Sequence, residues 1–207
     1  LRGPSCDANR LLHPAVAAYL LRYLRPPMAM VVGITGASCS GKTTLAEKLC
    51  EALIRSRDLQ CKVVGQDKHR QKARVRVDGK PSWEGEAYTN WGAFANEVSR
   101  ELERCDLDVL VVEGYLLFSA SQSEASIVTR HDLSLHVEAD QDECMRRRTR
   151  IPPSWGQDVR SYFQKCIWPC HIEHERVVPA WAERLPANES KEERLKRALR
   201  LFDAVCS

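Results

Sequence analysis

The stretch "GASCSGKT", from Gly36 to Thr43, decides the fold. It fits the pattern G-x-x-x-x-G-K-[ST] in full, with a β-branched run, "MVVGIT", before it and leucines at every fourth position after it. Glycines permit a tight turn in which successive backbone N–H groups point at one phosphate, and the following helix N-terminus adds partial positive charge. The motif therefore predicts a strand, a phosphate-binding P-loop and a helix.

The P-loop also predicts which side chains contact a nucleotide. Lys42 can reach the β- and γ-phosphate oxygens, and the Thr43 hydroxyl can ligate Mg²⁺. A nucleotide and Mg²⁺ are therefore expected at this loop, and ATP is the nucleotide that the family resemblance described below implies. The loop residues assigned to nucleotide binding are Gly36, Ala37, Ser38, Cys39, Ser40, Gly41, Lys42, Thr43 and Thr44.

Strands and helices alternate along the rest of the chain, which implies a parallel sheet covered on both faces. The further predicted strands are "CKVVGQD", "LDVLVVEG" and "LSLHVEA", the second being the most apolar and hence central. Residues 68–81 are polar and basic and are interpreted as a long loop. Helices are predicted over residues 90–104, 140–150 and 157–176, the last with a bend at Pro169. A final helix is predicted to begin at a capping box, Ser190–Glu193. The residues of that helix predicted to face the core are Leu195, Leu199, Phe202 and Val205.

Composition excludes several classes of protein. The 207 residues are 43% hydrophobic and 29% charged with a net charge of +3, too mildly basic for a typical nucleic-acid binder. No apolar run approaches the ~20 residues that span a bilayer. The nine cysteines are scattered and no secretory signal is visible, so we expect reduced thiols and a cytoplasmic location. We expect a monomer or weak homodimer, with no nucleic-acid or membrane partner.

The first 27 residues form a separate segment with four arginines and one acid. Three interpretations stay open: a mitochondrial transit segment, a short helix over "AVAAYLLRYL", and a true start at Met28 or Met30. We favour a poorly packed extension without a catalytic role. Residues 28–207 then form a single domain that carries the P-loop.

Two acids follow predicted strands. Asp67 ends "VVGQD" and Glu113 lies in "VVEG", both at C-terminal strand ends, where open parallel sheets bind ligands. One acid can help to hold Mg²⁺ through water, and the other can accept a hydroxyl proton from an acceptor. The N-K-x-D and D-x-x-G motifs of GTPases are absent, so we expect a small phosphotransferase.

Five segments together resemble the nicotinamide riboside kinase family, relatives of the uridine and pantothenate kinases. They are "GITGASCSGKTTLAEKL", "VVGQD", "VVEGYLLF", "DECMRRRTR" and "YFQKCIWPCHIEHER", within Met30 to Val205. The resemblance implies transfer of the γ-phosphate of ATP to the 5′-hydroxyl of nicotinamide riboside, giving nicotinamide mononucleotide for NAD synthesis. It also implies an α/β P-loop NTPase fold with a five-stranded parallel sheet, helices on both faces and a lid helix.

The resemblance implies roles for the other candidate residues. Asp67 would bind the ribose, accept the proton and lie near the metal with Thr43, while Lys42 and Glu113 complete the catalytic set. An aromatic ring can stack on the cationic nicotinamide ring. The remaining assignments are Trp83 and Glu84 on the nucleoside, Arg148 on the acceptor side, Arg147 and Arg150 on ATP, and Arg146 in solvent.

Two departures from the family pattern keep alternatives open. Lys68-His69-Arg70 stands where the family has an acid and aromatics, which is unfavourable near a cationic nucleoside unless these groups point away or meet phosphate. The arginine run is also one residue shorter. The alternatives are a uridine/cytidine or other small-metabolite kinase, and a non-catalytic nucleotide-binding regulatory protein.

Two further patterns are given structural interpretations. Cys166, Cys170, His171 and His174 lack the usual spacing of a zinc site, so they are interpreted as one helix with an apolar face. "ESKEERLKRALR" is interpreted as a solvated helix face with i,i+4 ion pairs.

Overall fold

The computed structural model describes residues 29–71, 76–77, 80–81, 84–122, 128, 130–150 and 159–207. The N-terminal extension, Trp83 and the Pro152-Pro153 segment after the arginine-rich helix lie outside the described residues. In the described part, no helix combines the length and the apolar character needed to cross a membrane.

Five parallel strands form the central sheet, in the order β2-β5-β1-β6-β7. The predicted five-stranded parallel sheet is confirmed. The strand "VLVVEG" is fully buried as predicted, although β1 holds the middle position. The strands are β1 Met30–Gly36, β2 Cys61–Gly65, β3 Arg76–Val77, β4 Lys80–Pro81, β5 Val109–Gly114, β6 Leu133–Val137 and β7 Glu183–Leu185, of which β3 and β4 form a separate antiparallel pair.

Three of the helices begin at polar side-chain caps. The Asn90 and Asp140 side chains accept from the backbone N–H groups of Ala93 and Glu143, at 3.0 and 2.8 Å. Ser190 forms the predicted capping box with Glu193. The α-helices are α1 Lys42–Arg57, α2 Trp91–Leu102, α3 Gln141–Arg148, α4 Val159–Tyr162, α5 Trp168–Glu175 and α6 Lys191–Cys206.

Helices cover both faces of the sheet, because alternate strand residues point to opposite sides. Ile34 faces α1 and α6, where it packs in one cluster with Leu49 and Phe202. Its strand neighbour Val31 belongs to a second cluster, in which Phe94 of α2 is fully buried. Burial of each large apolar side chain stabilises the fold by about 1.5–3 kcal/mol. The predicted two-sided covering is confirmed.

The interpretation of residues 68–81 as one long loop is wrong for the described part. Gln66–His69 is a 3-10 helix, Arg70 pairs with Thr89 as an isolated bridge, and β3 pairs antiparallel with β4. In the sequence, Asp78-Gly79 separates the two short strands. An Asp-Gly pair between strands is a strong hairpin signal, which the polar composition concealed.

The last helix departs from its predicted core face. Phe202 is buried, and Leu195 and Leu199 are partly buried against the core, but Val205 in the last turn is 48% exposed. The buried stripe instead includes Arg194, which is only 6% exposed. The solvated interpretation of this helix is therefore wrong for Arg194.

The predicted interruption at Pro169 takes the form of a π-helical turn over Phe163–Ile167. The Trp168 N–H donates to the Phe163 carbonyl, five residues back, and α5 begins there. Proline has no N–H and its ring crowds the carbonyl four residues earlier, so a widened turn accommodates it.

Three buried histidines lie behind the end of the sheet. His136 of β6 and His171 of α5 stack at 6.5 Å between ring centroids, and His174 contacts the Thr35 hydroxyl at 3.1 Å. Burial lowers the pKa of His171 and His174 to about 4. In the described part of the chain, no three His, Cys, Asp or Glu side chains are grouped to hold a metal ion. The histidines therefore serve the fold as neutral core groups.

This burial predicts acid instability. Because the unfolded chain binds these protons near pH 6.5 and the folded chain only near pH 4, stability is lost as pH falls through this window. The midpoint of urea unfolding should fall steeply between these limits. His174→Gln should reduce that slope, since it removes one proton-linked group. A wild-type midpoint that stays constant across the window would contradict the prediction.

Candidate active site

The P-loop connects β1 to α1 through a strained turn. Gly41 has φ 104° and Cys39 has φ 66°, both in the left-handed region. The turn is closed by the Ser40 N–H, which donates to the Ala37 carbonyl at 3.1 Å. Gly41 caps α1 without a side chain, so the first N–H groups of the helix are available to a phosphate oxygen.

A cavity of about 520 Å³ lies over this loop and joins it to α3. The Arg147 guanidinium crosses the cavity edge and donates to the carbonyls of Cys39 and Ser40, both at 3.2 Å. The structure thus brings the arginine helix to the P-loop. The lining residues are Cys39, Gly41, Lys42, Thr43, Thr44, Glu143, Arg146, Arg147, Arg150 and Lys191.

The four arginines of the predicted run point in different directions. Arg146 is half-exposed and pairs with Glu143 at 2.6 Å, in agreement with its predicted solvated position. Arg147 shares Glu143 at 2.7 Å but also reaches the P-loop. Arg148 acts electrostatically on Glu84, on the side of the predicted acceptor. Arg150, two residues beyond the end of α3, lines the phosphate cavity together with Arg146 and Arg147.

Arg194 is a site residue that the sequence analysis missed. Its guanidinium donates to the Ser40 carbonyl at 2.9 Å, and to the carbonyls of Pro186 and Ala187 at 3.1 and 2.7 Å. Burial and the nearby charge of Arg147 lower its pKa. Two guanidinium groups thus converge on one P-loop carbonyl, an arrangement that favours an anion. The sequence did contain a signal for its burial: Arg194 lies one helical turn before Ala198 and two turns before Phe202, on the buried face of α6.

A second cavity, of about 260 Å³, lies on the flank of the P-loop beside Arg194. It is bounded by Thr44, Leu45 and Lys48 of α1, by Arg147, and by residues 189–191 at the start of α6. Leu45 is the apolar side chain of this lining, among polar and charged ones.

The two acids at the strand ends lie in different environments. Glu113 is buried and accepts from the Thr43 hydroxyl at 3.1 Å, whereas the Asp67 side chain is 60% exposed. Burial raises the pKa of Glu113, Lys42 opposes that shift, and the charge of Asp67 adds to it. Glu113 therefore belongs to the phosphate side, and Asp67 faces the open side.

These groups fit a magnesium ion. The Thr43 hydroxyl and the Glu113 and Asp67 carboxylates are hard oxygen donors, the type that Mg²⁺ prefers. The two carboxylates repel each other, as their mutual effect on the pKa of Glu113 indicates. A cation between them would relieve this repulsion. Of the predicted metal ligands, Thr43 contacts Glu113, and Asp67 is close enough for its charge to act on Glu113.

Gln66 positions Asp67, and the sequence analysis overlooked it. This buried side chain accepts from the Leu116 N–H at 3.0 Å and donates to the Thr89 hydroxyl at 2.8 Å. It therefore joins the ends of β2 and β5 to the segment before α2. A Cβ added to Gly114 would lie 2.4 Å from the side-chain amide oxygen of Gln66, so glycine at this strand end leaves room for the Gln66 side chain.

Asp67, Arg70, Glu84, Arg148 and Tyr162 form a polar group that we call the acceptor-side cluster. The Tyr162 hydroxyl donates to Glu84 at 3.2 Å, and Arg70 donates to Asp67 at 3.0 Å. Burial raises the pKa of Glu84, while Arg70 and Arg148 oppose that shift. The two predicted acceptor acids are thus brought together. Trp83, their predicted aromatic partner, lies outside the described residues.

The three basic residues after Asp67 point in different directions. The His69 ring turns away, contacts Glu97 at 2.6 Å and stacks on Phe94 at 5.2 Å. Lys68 is exposed. Arg70 alone enters the acceptor-side cluster.

A family profile described as an AAA domain matches residues 31–150, more than half of the chain. The chain belongs to the AAA domain family. The matched region runs from β1 through the P-loop, β2, β5 and β6 to the arginines of α3. The match includes the P-loop and both strand-end acids, whereas Tyr162 and Arg194 lie beyond it.

Curated relatives confirm the resemblance found in the sequence. Human nicotinamide riboside kinase 1 is 27% identical over 167 residues, which cover 72% of this chain and 77% of the relative. Mouse nicotinamide riboside kinase 2 is 29% identical over 170 residues, covering 73% and 82%.

Solved structures share the fold at lower identity. A candidate fructose transport system kinase from a Silicibacter species has a TM-score of 0.62 at 16% identity, covering 83% of this chain and 98% of the other. A sugar kinase from a Janibacter species has a TM-score of 0.54 at 14% identity, covering 86% and 98%. The α/β P-loop NTPase fold is therefore confirmed, and the relatives support an ATP-dependent phosphotransferase.

Arg194 offers a test of the phosphate side. Arg194→Lys keeps the charge but loses the fork that joins Ser40 to Pro186 and Ala187, so we expect KM for ATP to rise about tenfold, the worth of one charge-assisted hydrogen bond. KM for the acceptor should change little. The matched control is Arg200→Lys, an exposed position on the same helix. Equal effects of both substitutions would contradict the assignment.

Proposed function

We propose that this protein is a nucleoside kinase that transfers the γ-phosphate of ATP to the 5′-hydroxyl of nicotinamide riboside, giving nicotinamide mononucleotide for NAD synthesis. The observation that carries this proposal is the division of the two strand-end acids. Buried Glu113 bonds Thr43 beside Lys42, and exposed Asp67 faces the acceptor-side cluster. One edge of the sheet thus offers a phosphate-donor half and a hydroxyl-acceptor half.

Phosphoryl transfer asks the protein for positioning and charge neutralisation. The N–H groups of the P-loop and Lys42 would hold the β- and γ-phosphates. Arg147 and Arg194, both anchored to the Ser40 carbonyl, add positive charge at the loop. Arg150 lines the same cavity and would cover the transferring group, which excludes water as a competing acceptor.

Magnesium would be held by Thr43, Glu113 and Asp67. When bound, the ion neutralises charge on the phosphate oxygens and aligns them for transfer. In this chain, the Thr43 hydroxyl donates to Glu113, and the charge of Lys42 favours the ionised carboxylate. Glu113 is therefore held as a carboxylate at the phosphate side.

Asp67 would bind the acceptor hydroxyl and take its proton. Its carboxylate is accessible from the open side, and the neighbouring Gln66 anchor fixes the backbone that carries it. Arg70 holds one carboxylate oxygen at 3.0 Å, which leaves the other oxygen for the hydroxyl. A base positioned in this way contributes about 10²–10⁴ to the rate.

A nucleoside acceptor is supported by the names of the relatives and by the acceptor-side cluster. Glu84 would bind ribose hydroxyls, since a half-buried carboxylate that already accepts from Tyr162 keeps further acceptor capacity. Trp83 would stack on the base, and Arg148 would face the acceptor. Uridine and cytidine kinases would use the same phosphate-handling residues, so the base is the property that requires a test.

The test of this function is acceptor-dependent ADP formation with a panel of ribosides. Nicotinamide riboside, nicotinic acid riboside, uridine and cytidine are each supplied with ATP and Mg²⁺, and the phosphorylated product is identified by mass. We expect turnover with the pyridine ribosides. ATP binding without ADP release for any acceptor would favour the regulatory alternative, and turnover with uridine and cytidine alone would move the assignment to pyrimidine nucleosides.

Asp67→Asn tests the base. The amide keeps the shape of the side chain but does not accept a proton, so kcat should fall about 10²–10⁴-fold with ATP affinity nearly unchanged. Asp106→Asn is the matched control, because its side chain is 63% exposed and lies before the opposite end of β5. Unchanged turnover in Asp67→Asn would remove Asp67 from the mechanism.

A further inference from the structure

Arg70 contacts Asp67, but its positive charge in the acceptor-side cluster is a feature that phosphoryl transfer itself does not require. Its guanidinium donates to Asp67 at 3.0 Å, and the charge of Glu84 also acts on it. Only 37% of its side chain is exposed. The residue therefore lies at the rim of the acceptor-side cluster, with its guanidinium on Asp67 and part of its side chain in solvent.

The cluster is close to electrically neutral as it stands. Asp67 and Glu84 contribute two negative charges, and Arg70 and Arg148 contribute two positive charges that act on Glu84. Although burial of Arg70 disfavours its charge, Asp67 and Glu84 together hold its pKa above the ordinary value. The Arg70 guanidinium therefore stays positively charged beside two carboxylates that would otherwise attract a cationic ligand.

We propose that Arg70 is a specificity-determining residue that selects acceptor nucleosides of zero net charge, neutral or zwitterionic, over cationic ones. This inference rests on the proposed function and ranks its acceptors: nicotinamide riboside is a substrate, and an acceptor of zero net charge is a better one. Arg70 provides a positive charge that a cationic base would otherwise provide. Because the carboxylates already have this partner, a cationic riboside gains little attraction from them.

The same position gives an acceptor carboxylate a binding partner. A guanidinium presents two parallel N–H groups that match a carboxylate, while a carboxamide offers one acceptor oxygen and no charge. A pyridine riboside with a carboxylate has zero net charge, and its carboxamide counterpart carries one positive charge. These two ligands have nearly the same shape, so a difference between them reports on charge.

Arg70 can be replaced without loss of the fold. Its main chain forms the bridge with Thr89, and the side chain belongs to none of the buried apolar clusters of the described residues. Arg70→Gln removes the charge and keeps a polar side chain. Arg70→Lys keeps the charge. The control Arg100→Gln removes one positive charge from an α2 side chain that is 70% exposed.

The experiment measures kcat/KM of the full chain for nicotinic acid riboside, uridine and nicotinamide riboside. The wild type should favour an acceptor of zero net charge. Arg70→Gln should shift the ratio of nicotinamide to nicotinic acid riboside about tenfold toward the cation, the effect of one screened charge at short range. The shift should appear chiefly in KM. Arg70→Lys should keep most of the wild-type ratio, and Arg100→Gln all of it.

The outcomes separate the inference from the function on which it rests. Transfer to ribosides with the same ratio in wild type and Arg70→Gln would overturn the inference alone. An equal fall of kcat for every acceptor in Arg70→Gln would also overturn it, because Arg70 would then act in phosphoryl transfer. Absence of transfer to all three ribosides would overturn the proposed function, and the inference with it.

Discussion

The site depends on the parallel pairing of β1, β2 and β5, because parallel strands end at the same edge of a sheet. β1 ends in the P-loop, β2 ends before Asp67, and β5 ends with Glu113 and Gly114. Gly65 leaves room for the Glu113 side chain at this edge, since a Cβ there would lie 2.7 Å from the Glu113 Oε1 atom. Residues separated by some 70 positions thus meet through backbone pairing, as the bond between Thr43 and Glu113 shows.

Charge divides this edge into two halves. On the phosphate side, Arg147 and Arg194 both donate to the Ser40 carbonyl, and Arg194 has carbonyl partners in place of a carboxylate. That half therefore favours a polyanion. On the acceptor side, Arg70 lies against Asp67 and near Glu84, so the carboxylates are already matched. The two halves are built for ligands of different charge, and this is the physical content of the proposed function.

Local sequence predicted much of the fold because its signals act over a few residues. The P-loop pattern, the caps at Asn90 and Asp140 and the Ser190 capping box each decide a boundary through neighbouring groups. The short strand β7 lacked such a signal, since three residues carry too little periodicity and are held by pairing with β6. The two-residue strands β3 and β4 were missed for the same reason, although Asp78-Gly79 stands between them in the sequence.

The sequence by itself determined the P-loop, the two acids at strand ends and the arginine run, because each is a short pattern whose chemistry is local. Tertiary structure decided what those residues meet. It buried Arg194 under the P-loop, turned His69 toward Glu97, and placed Arg70 between the carboxylates of Asp67 and Glu84. The physical reason is that a side chain's charge is visible in the sequence, while its direction and its partners depend on packing between segments distant along the chain.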